Sequence, residues 1–98
     1  MQNTNQKPLI VTRHNALIEY LAERGITGEV VSHADEAAVS GRDVVGVLPM
    51  RLASLARSFV EVSMIVPAEY RGKELTLADI RSFKPVLTEY AVRKVRVL

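Results

Sequence analysis

The sequence contains no cysteine, and none of its apolar runs approaches the length of a membrane span. Without cysteine there is no disulfide framework, no thiol nucleophile and no thiolate zinc site. A bilayer-crossing helix needs about 20 consecutive apolar residues, and the pattern offers none. The opening stretch, Met1 to Gln6, is polar and uncharged, which is not the basic-then-apolar order of a secretory leader. These absences make a cytoplasmic protein with no membrane partner the expectation. Glycine is missing where nucleotide folds concentrate it: the turn Thr12-Arg13-His14-Asn15 has none. That excludes a glycine-rich phosphate loop and the dinucleotide fingerprint. There is no nucleophile elbow, and no His, Asp and Glu set falls at metal-ligand spacing. An enzyme on this chain is expected to need neither metal nor cofactor.

What is present fits one small globular unit. The 98 residues are 48% hydrophobic and 24% charged, a balance found in folded rather than disordered chains. Chains of this length form a single domain, so one domain over residues 1–98 is expected, with residues 1–7 disordered. The net charge of +2 is unevenly placed. Residues 1–83 carry nine Lys or Arg against ten Asp or Glu, whereas Lys84, Arg93, Lys94 and Arg96 face Glu89 alone in residues 84–98. Such a bias favours anionic ligands without naming one, and a solvated basic strand or tail is the plainer reading. No long nucleic acid is expected as a partner.

The apolar pattern alternates between strand and helix. Leu9-Ile10-Val11-Thr12 is a short buried-strand run. Ala16, Leu17, Tyr20 and Leu21 then recur at helical spacing, with Asn15 placed as N-cap and Gly25 at the C-terminal end. Glu29 to Ser32 reads as a second strand, Asp35 to Ser40 as one or two helical turns, and Asp43 to Leu48 as a third strand. Pro49 suits a helix start, predicting a helix over Met50–Ser58. Phe59 to Val66 is the longest β-type run. Thr76-Leu77-Ala78-Asp79 has the form of a capping box, opening a helix to about Phe83. Tyr90 to Val97 partly alternates, as an edge strand does. This order predicts an α/β fold with a mostly parallel sheet, strand order 2-1-3-4, and helices on both faces.

In that order the first and third strands lie side by side while their helices leave to opposite faces. Their carboxyl ends then form a topological switch point, where open α/β sheets bind ligands. Thr12, Arg13, His14 and Asn15 would line one wall, and Leu48, Pro49, Met50 and Arg51 the other. Arg13 can fork onto a phosphate beside a helix N-terminus, and His14 can move a proton near neutral pH. The bland alternative pairs Arg13 with a carboxylate and leaves His14, like His33, a polar turn residue. Arg51 opposes the dipole of its helix, which an anion or an acidic neighbour would relieve. Arg71-Gly72-Lys73 forms a basic turn that is either a lid or solvated loop, and Tyr70 is a candidate for stacking on a base. With no metal set, the fitting chemistry is one in which the substrate brings its own nucleophile, such as a ribose 2′-hydroxyl.

These segments resemble a known family. Val11-Thr12-Arg13-His14, Ile18-Glu19-Tyr20-Leu21, Gly46-Val47-Leu48-Pro49 and Pro67-Ala68-Glu69-Tyr70-Arg71-Gly72-Lys73-Glu74-Leu75-Thr76 look, in that succession, like the small Csx-type accessory proteins of type III CRISPR systems. The resemblance runs from Leu9 to Phe83. It implies a Rossmann-like (CARF-like) protomer that forms a two-fold homodimer around cyclic tetra-adenylate. It implies a ring nuclease that linearises this cyclic oligoadenylate and so switches off signalling. Thr12, Arg13, His14 and Arg71 would then line the ring. Two rivals stand beside this reading. One is a binder of the same ring that does not cleave it. The other is a protein-interaction subunit with an exposed apolar patch and no nucleotide ligand.

Overall fold

The computed structural model describes residues 7–98. The expected disorder of the first residues falls on positions 1–6, which lie outside the described residues, apart from Lys7. The element order is β1 (Leu9–Val11), α1 (Asn15–Glu23), β2 (Glu29–Val31), α2 (Glu36–Val39), β3 (Asp43–Gly46), α3 (Met50–Ala53) and β4 (Ser58–Ser63). A single 3-10 turn (Ala68–Tyr70), α4 (Leu77–Phe83) and β5 (Val86–Tyr90) complete it. The strands form one sheet of order β2-β1-β3-β4-β5. β1 pairs in parallel with β2 and β3, and β3 in parallel with β4. The first four strands thus follow the predicted order, and β5 adds an antiparallel edge beside β4.

The pleat explains the two cores. Leu9, Val11, Val44 and Phe59 point to one face and meet Val39, Leu52 and Ala53 from α2 and α3. Ile10, Val45 and Val60 point to the other and meet Ala16, Leu17, Leu21 and Ile80 from α1 and α4. β1 and β3 are therefore buried on both sides, as parallel strands between two helix layers must be. Leu9, Leu21, Val39, Val44, Val45 and Ile80 are fully buried, and each such side chain contributes about 1.5–3 kcal/mol. A bond from Arg81 to Glu23 also links α4 to α1. That hydrogen bond holds the Glu23 carboxyl below its usual range. No described helix is long and apolar enough to cross a membrane.

Four local expectations are corrected. The N-cap of α1 is His14, and Asn15 is the first helical residue. The Thr12 hydroxyl accepts from the His14 N–H at 3.1 Å, which turns the chain one residue early. The helix expected to reach Ser58 stops at Ala53. Beyond it, Gly41 donates to the Leu55 carbonyl at 3.0 Å and Arg57 to the Arg42 carbonyl at 2.8 Å, drawing the chain into the sheet. β4 ends at Ser63 rather than Val66, where its pairing with Val86 of β5 begins. The last strand covers Val86–Tyr90, and residues 91–98 have no regular structure. Lys84 takes a left-handed conformation (φ 51°) and Pro85 is buried, so the chain reverses directly after α4 and reaches the edge early. The capping box at Thr76 and Asp79 forms as its sequence pattern dictates.

Candidate functional site

The site begins with a close approach of two backbones. Val11, the last residue of β1, pairs with Gly46, the last of β3. A Cβ on Gly46 would lie 2.1 Å from the Val11 carbonyl oxygen, and its φ is +133°. Only glycine lets the two carboxyl ends meet here. From this point α1 leaves toward one face and α3 toward the other.

Between them lies a cavity of about 430 Å³. Thr12, Arg13 and His14 form one wall, Val47, Leu48 and Pro49 another, and Ser32, His33 and Ala34 after β2 the third. The switch-point cleft therefore gathers Thr12, Arg13, His14, Leu48 and Pro49. Asn15 and Arg51 are not among its lining residues. Arg51 instead ion-pairs with Glu36 of α2 at 2.7 Å, both side chains well exposed. Glu36 is the acidic neighbour expected for Arg51, but α3 is only four residues long and Arg51 lies in its last turn, so the expected opposition to a helix dipole does not arise.

Arg13 has a different partner. Its guanidinium lies 3.0 Å from Nε2 of His33. A guanidinium only donates, so Nε2 is the accepting nitrogen in this contact. In the sequence His33 has no stronger claim than any polar turn residue. Its signal was position alone, one residue beyond the second strand run, at the same sheet end as Arg13. The N-terminus of α1 adds to the positive field: it has no side-chain cap and no acidic residue in its first turn. Thr12 is buried and spends its hydroxyl on shaping the turn, whereas Arg13 and His14 are exposed.

A second cavity, of about 240 Å³, opens on the other side of His14. Arg71, Gly72 and Lys73 edge it, and Tyr70 lines it. Arg42, Arg51, Arg57 and Arg81 each pair with a carboxylate, whereas among the described residues Arg13, Arg71 and Lys73 do not. Arg13, Arg71 and Lys73, three of the cations without a carboxylate partner among the described residues, thus border these two cavities. Among the described residues no group of three or more His, Asp or Glu could hold a metal ion.

Residues 9–93 match the family described as "Putative CRISPR-associated protein (Cas_VVA1548)". The chain belongs to that family. No curated protein and no solved structure matches it. The CRISPR-associated match covers both cavities and continues through β5 to Arg93, ten residues past the end of the resemblance at Phe83.

The opposite end of the sheet serves the fold of this CRISPR-associated chain. There Asp43, 3% exposed, accepts from Arg57 and Ser58, each at 2.6 Å. Burial pushes its carboxyl up, but the bonds from Arg57 and Ser58 outweigh this and hold it below the usual range. A hollow of 450 Å³ between Pro8, Arg24 and Leu87 also lies at that end. Its arginine is already engaged with the Tyr20 hydroxyl at 3.1 Å, and nothing there converges on a reacting group.

Proposed function

We propose that this CRISPR-associated protein binds a cyclic oligoadenylate at the Arg13 cleft and cleaves it, acting as a ring nuclease that ends type III signalling. The observation that carries the proposal is Arg13 itself. It is a cation with no carboxylate partner among the described residues, set beside an uncapped helix N-terminus at a switch point. Family membership supplies the biological setting. An anionic phosphodiester is the ligand such a place favours.

In the proposed reaction a ribose 2′-hydroxyl gives up its proton and its oxygen bonds to the adjacent 3′-phosphorus. The bond from that phosphorus to the 5′-oxygen breaks, and the 5′-oxygen takes up a proton. The product is a linear oligoadenylate with a 2′,3′-cyclic phosphate and a 5′-hydroxyl. Arg13 holds the phosphate and stabilises the charge that grows on it, a role worth about 10²–10³-fold in rate. His14 is the imidazole placed to move a proton, which contributes about 10²–10⁴-fold. Leu48 and Pro49 shape the facing wall, and Arg71 approaches from beyond His14. Each role is carried by a side chain of the protein or by the substrate's own hydroxyl.

The proposal includes a homodimer. Val47, which lines the cleft, and Met50, just beyond Pro49, are each 73% exposed. A two-fold partner would cover them and place two Arg13 clefts around one two-fold ring. The test is single-turnover incubation of labelled cyclic tetra-adenylate with and without EDTA, with light scattering on the same samples. Cleavage in both, by a dimer, is the expected result. An intact ring held for hours supports the binder that does not cleave.

A further inference from the structure

The second cavity has a lining unlike that of the cleft. Leu17 of α1, Met64 and Val66 after β4, and Leu75 and Ile80 around α4 form an apolar floor. Leu17 and Ile80 are core residues, 5% and 0% exposed, so this floor is fixed by the fold. Tyr70 is held as well. Its ring meets Phe83 edge-on, with centroids 5.1 Å apart and planes at 80°. Its N–H donates to the Pro67 carbonyl at 3.0 Å, and the Lys73 N–H donates to the Tyr70 carbonyl at 3.2 Å, which closes a tight turn. The cations stand only on the rim. Glu69 and Glu74 flank Arg71 and Lys73 in sequence, yet neither pairs with them.

An apolar, partly aromatic hollow with a cationic rim suits a ligand that is flat and apolar at one end and anionic at the other. His14 lines both cavities, so one molecule can reach from the first into the second. We infer that the hollow beside Tyr70 is a base pocket, taking a purine of the nucleotide whose phosphate lies in the Arg13 cleft. The inference rests on the nucleotide reading of that cleft and adds where the base goes and which residue selects it. Tyr70 is the specificity-determining residue, and Arg71 and Lys73 face the backbone that enters the pocket. An aliphatic phosphate would use the floor but gain nothing from the aromatic ring.

The test uses adenosine monophosphate and ribose 5-phosphate as probes on the full chain, followed by methyl NMR. The chain has three methionines, so the Met64 methyl signal is readily assigned by one Met64→Leu spectrum. Adenosine monophosphate is expected to shift it by ring current and to show contacts from the purine protons. Ribose 5-phosphate should leave it in place while moving the His33 signals. Tyr70→Ala should lose about ten- to hundredfold in nucleotide affinity, the worth of one stacked base. Tyr70→Phe keeps the ring and should stay within about twofold, and it guards against a misfolded Tyr70→Ala. Nucleotide that moves only the cleft signals, or binds Tyr70→Phe and Tyr70→Ala alike, overturns the base pocket. If cyclic tetra-adenylate binds and is cut with Met64 unmoved, the pocket fails and the nuclease reading stands. If adenosine monophosphate moves Met64 while the ring is never cut, the pocket stands and the nuclease reading fails.

Discussion

Replacing Gly46 by alanine tests whether the close approach of β1 and β3 builds the site. The new Cβ would sit 2.1 Å from the Val11 oxygen, 3.0 Å from its carbon and 3.2 Å from its nitrogen. All three are backbone atoms, so no side chain can swing away. Relief requires β1 and β3 to part by more than an ångström, in strands whose residues are buried on both faces. Overpacking of this kind costs about 1–3 kcal/mol, and a φ reserved for glycine about 1–3 kcal/mol more. A total of roughly 2–6 kcal/mol is a large share of the 5–15 kcal/mol that holds a domain of this size. At about 4–8 °C per kcal/mol, the melting temperature should fall by at least about 8 °C. Gly25→Ala is the control: its φ is +81° but nothing lies within 4 Å of the added carbon. It should cost only about 1 kcal/mol. Thermal melts followed by circular dichroism, with urea titrations for the slope, compare the two. Equal melting temperatures would refute the close-contact argument.

Three other outcomes follow from the geometry. Arg51→Ala should leave ligand affinity within about twofold, since that side chain is held by Glu36 and an exposed pair is worth about 0–1 kcal/mol; calorimetry with cyclic tetra-adenylate checks this, and a loss matching that of Arg13→Ala would contradict it. His33→Gln carries an acceptor near the position of Nε2 and should retain Arg13, whereas His33→Asn is too short and should weaken binding by about three- to tenfold; equal affinity in the two variants would remove His33 from the site. Asp43 is held below its usual range, so its contribution is present at neutral pH and is lost as pH falls through its folded-state value. Asp43→Asn should therefore cost about 1–2 kcal/mol at pH 7, discounted for the half-exposed Arg57, and progressively less on acidification. A difference from the parent chain that stays constant from pH 7 down through the acid transition would contradict that linkage.

The parts of the fold written in local chemistry were legible in the sequence. The run Leu9-Ile10-Val11 is short and partly β-branched, which favours a buried strand, and Thr76 with Asp79 carries the signal of a helix cap. From those elements the switch point and the wall Thr12-Arg13-His14 followed by connectivity. Misread elements depended on distant partners. The apolar spacing of Leu52, Leu55 and Ala56 suits a longer helix, but bonds from Gly41 and to Arg42 end it. The partial alternation of Tyr90 to Val97 reads as a strand, yet the turn at Lys84-Pro85 delivers Val86 to the edge first. The site divided in the same way. Arg13 was legible because its neighbours in sequence are its neighbours in space. The assignment of Arg51 to Glu36, 15 positions away, and of Arg13 to His33, 20 away, depends on how β2 and α2 pack.

Under the proposed function, the Arg13 cleft binds and cleaves a cyclic oligoadenylate. Single-turnover cleavage of labelled cyclic tetra-adenylate by the parent chain and by Arg13→Ala, in EDTA, tests it most directly. The expected result is conversion to a linear product ending in a 2′,3′-cyclic phosphate, slowed about 10²–10³-fold in Arg13→Ala. Cleavage by a folded Arg13→Ala at the parent rate, or an untouched and unbound ring with the parent chain, would contradict it.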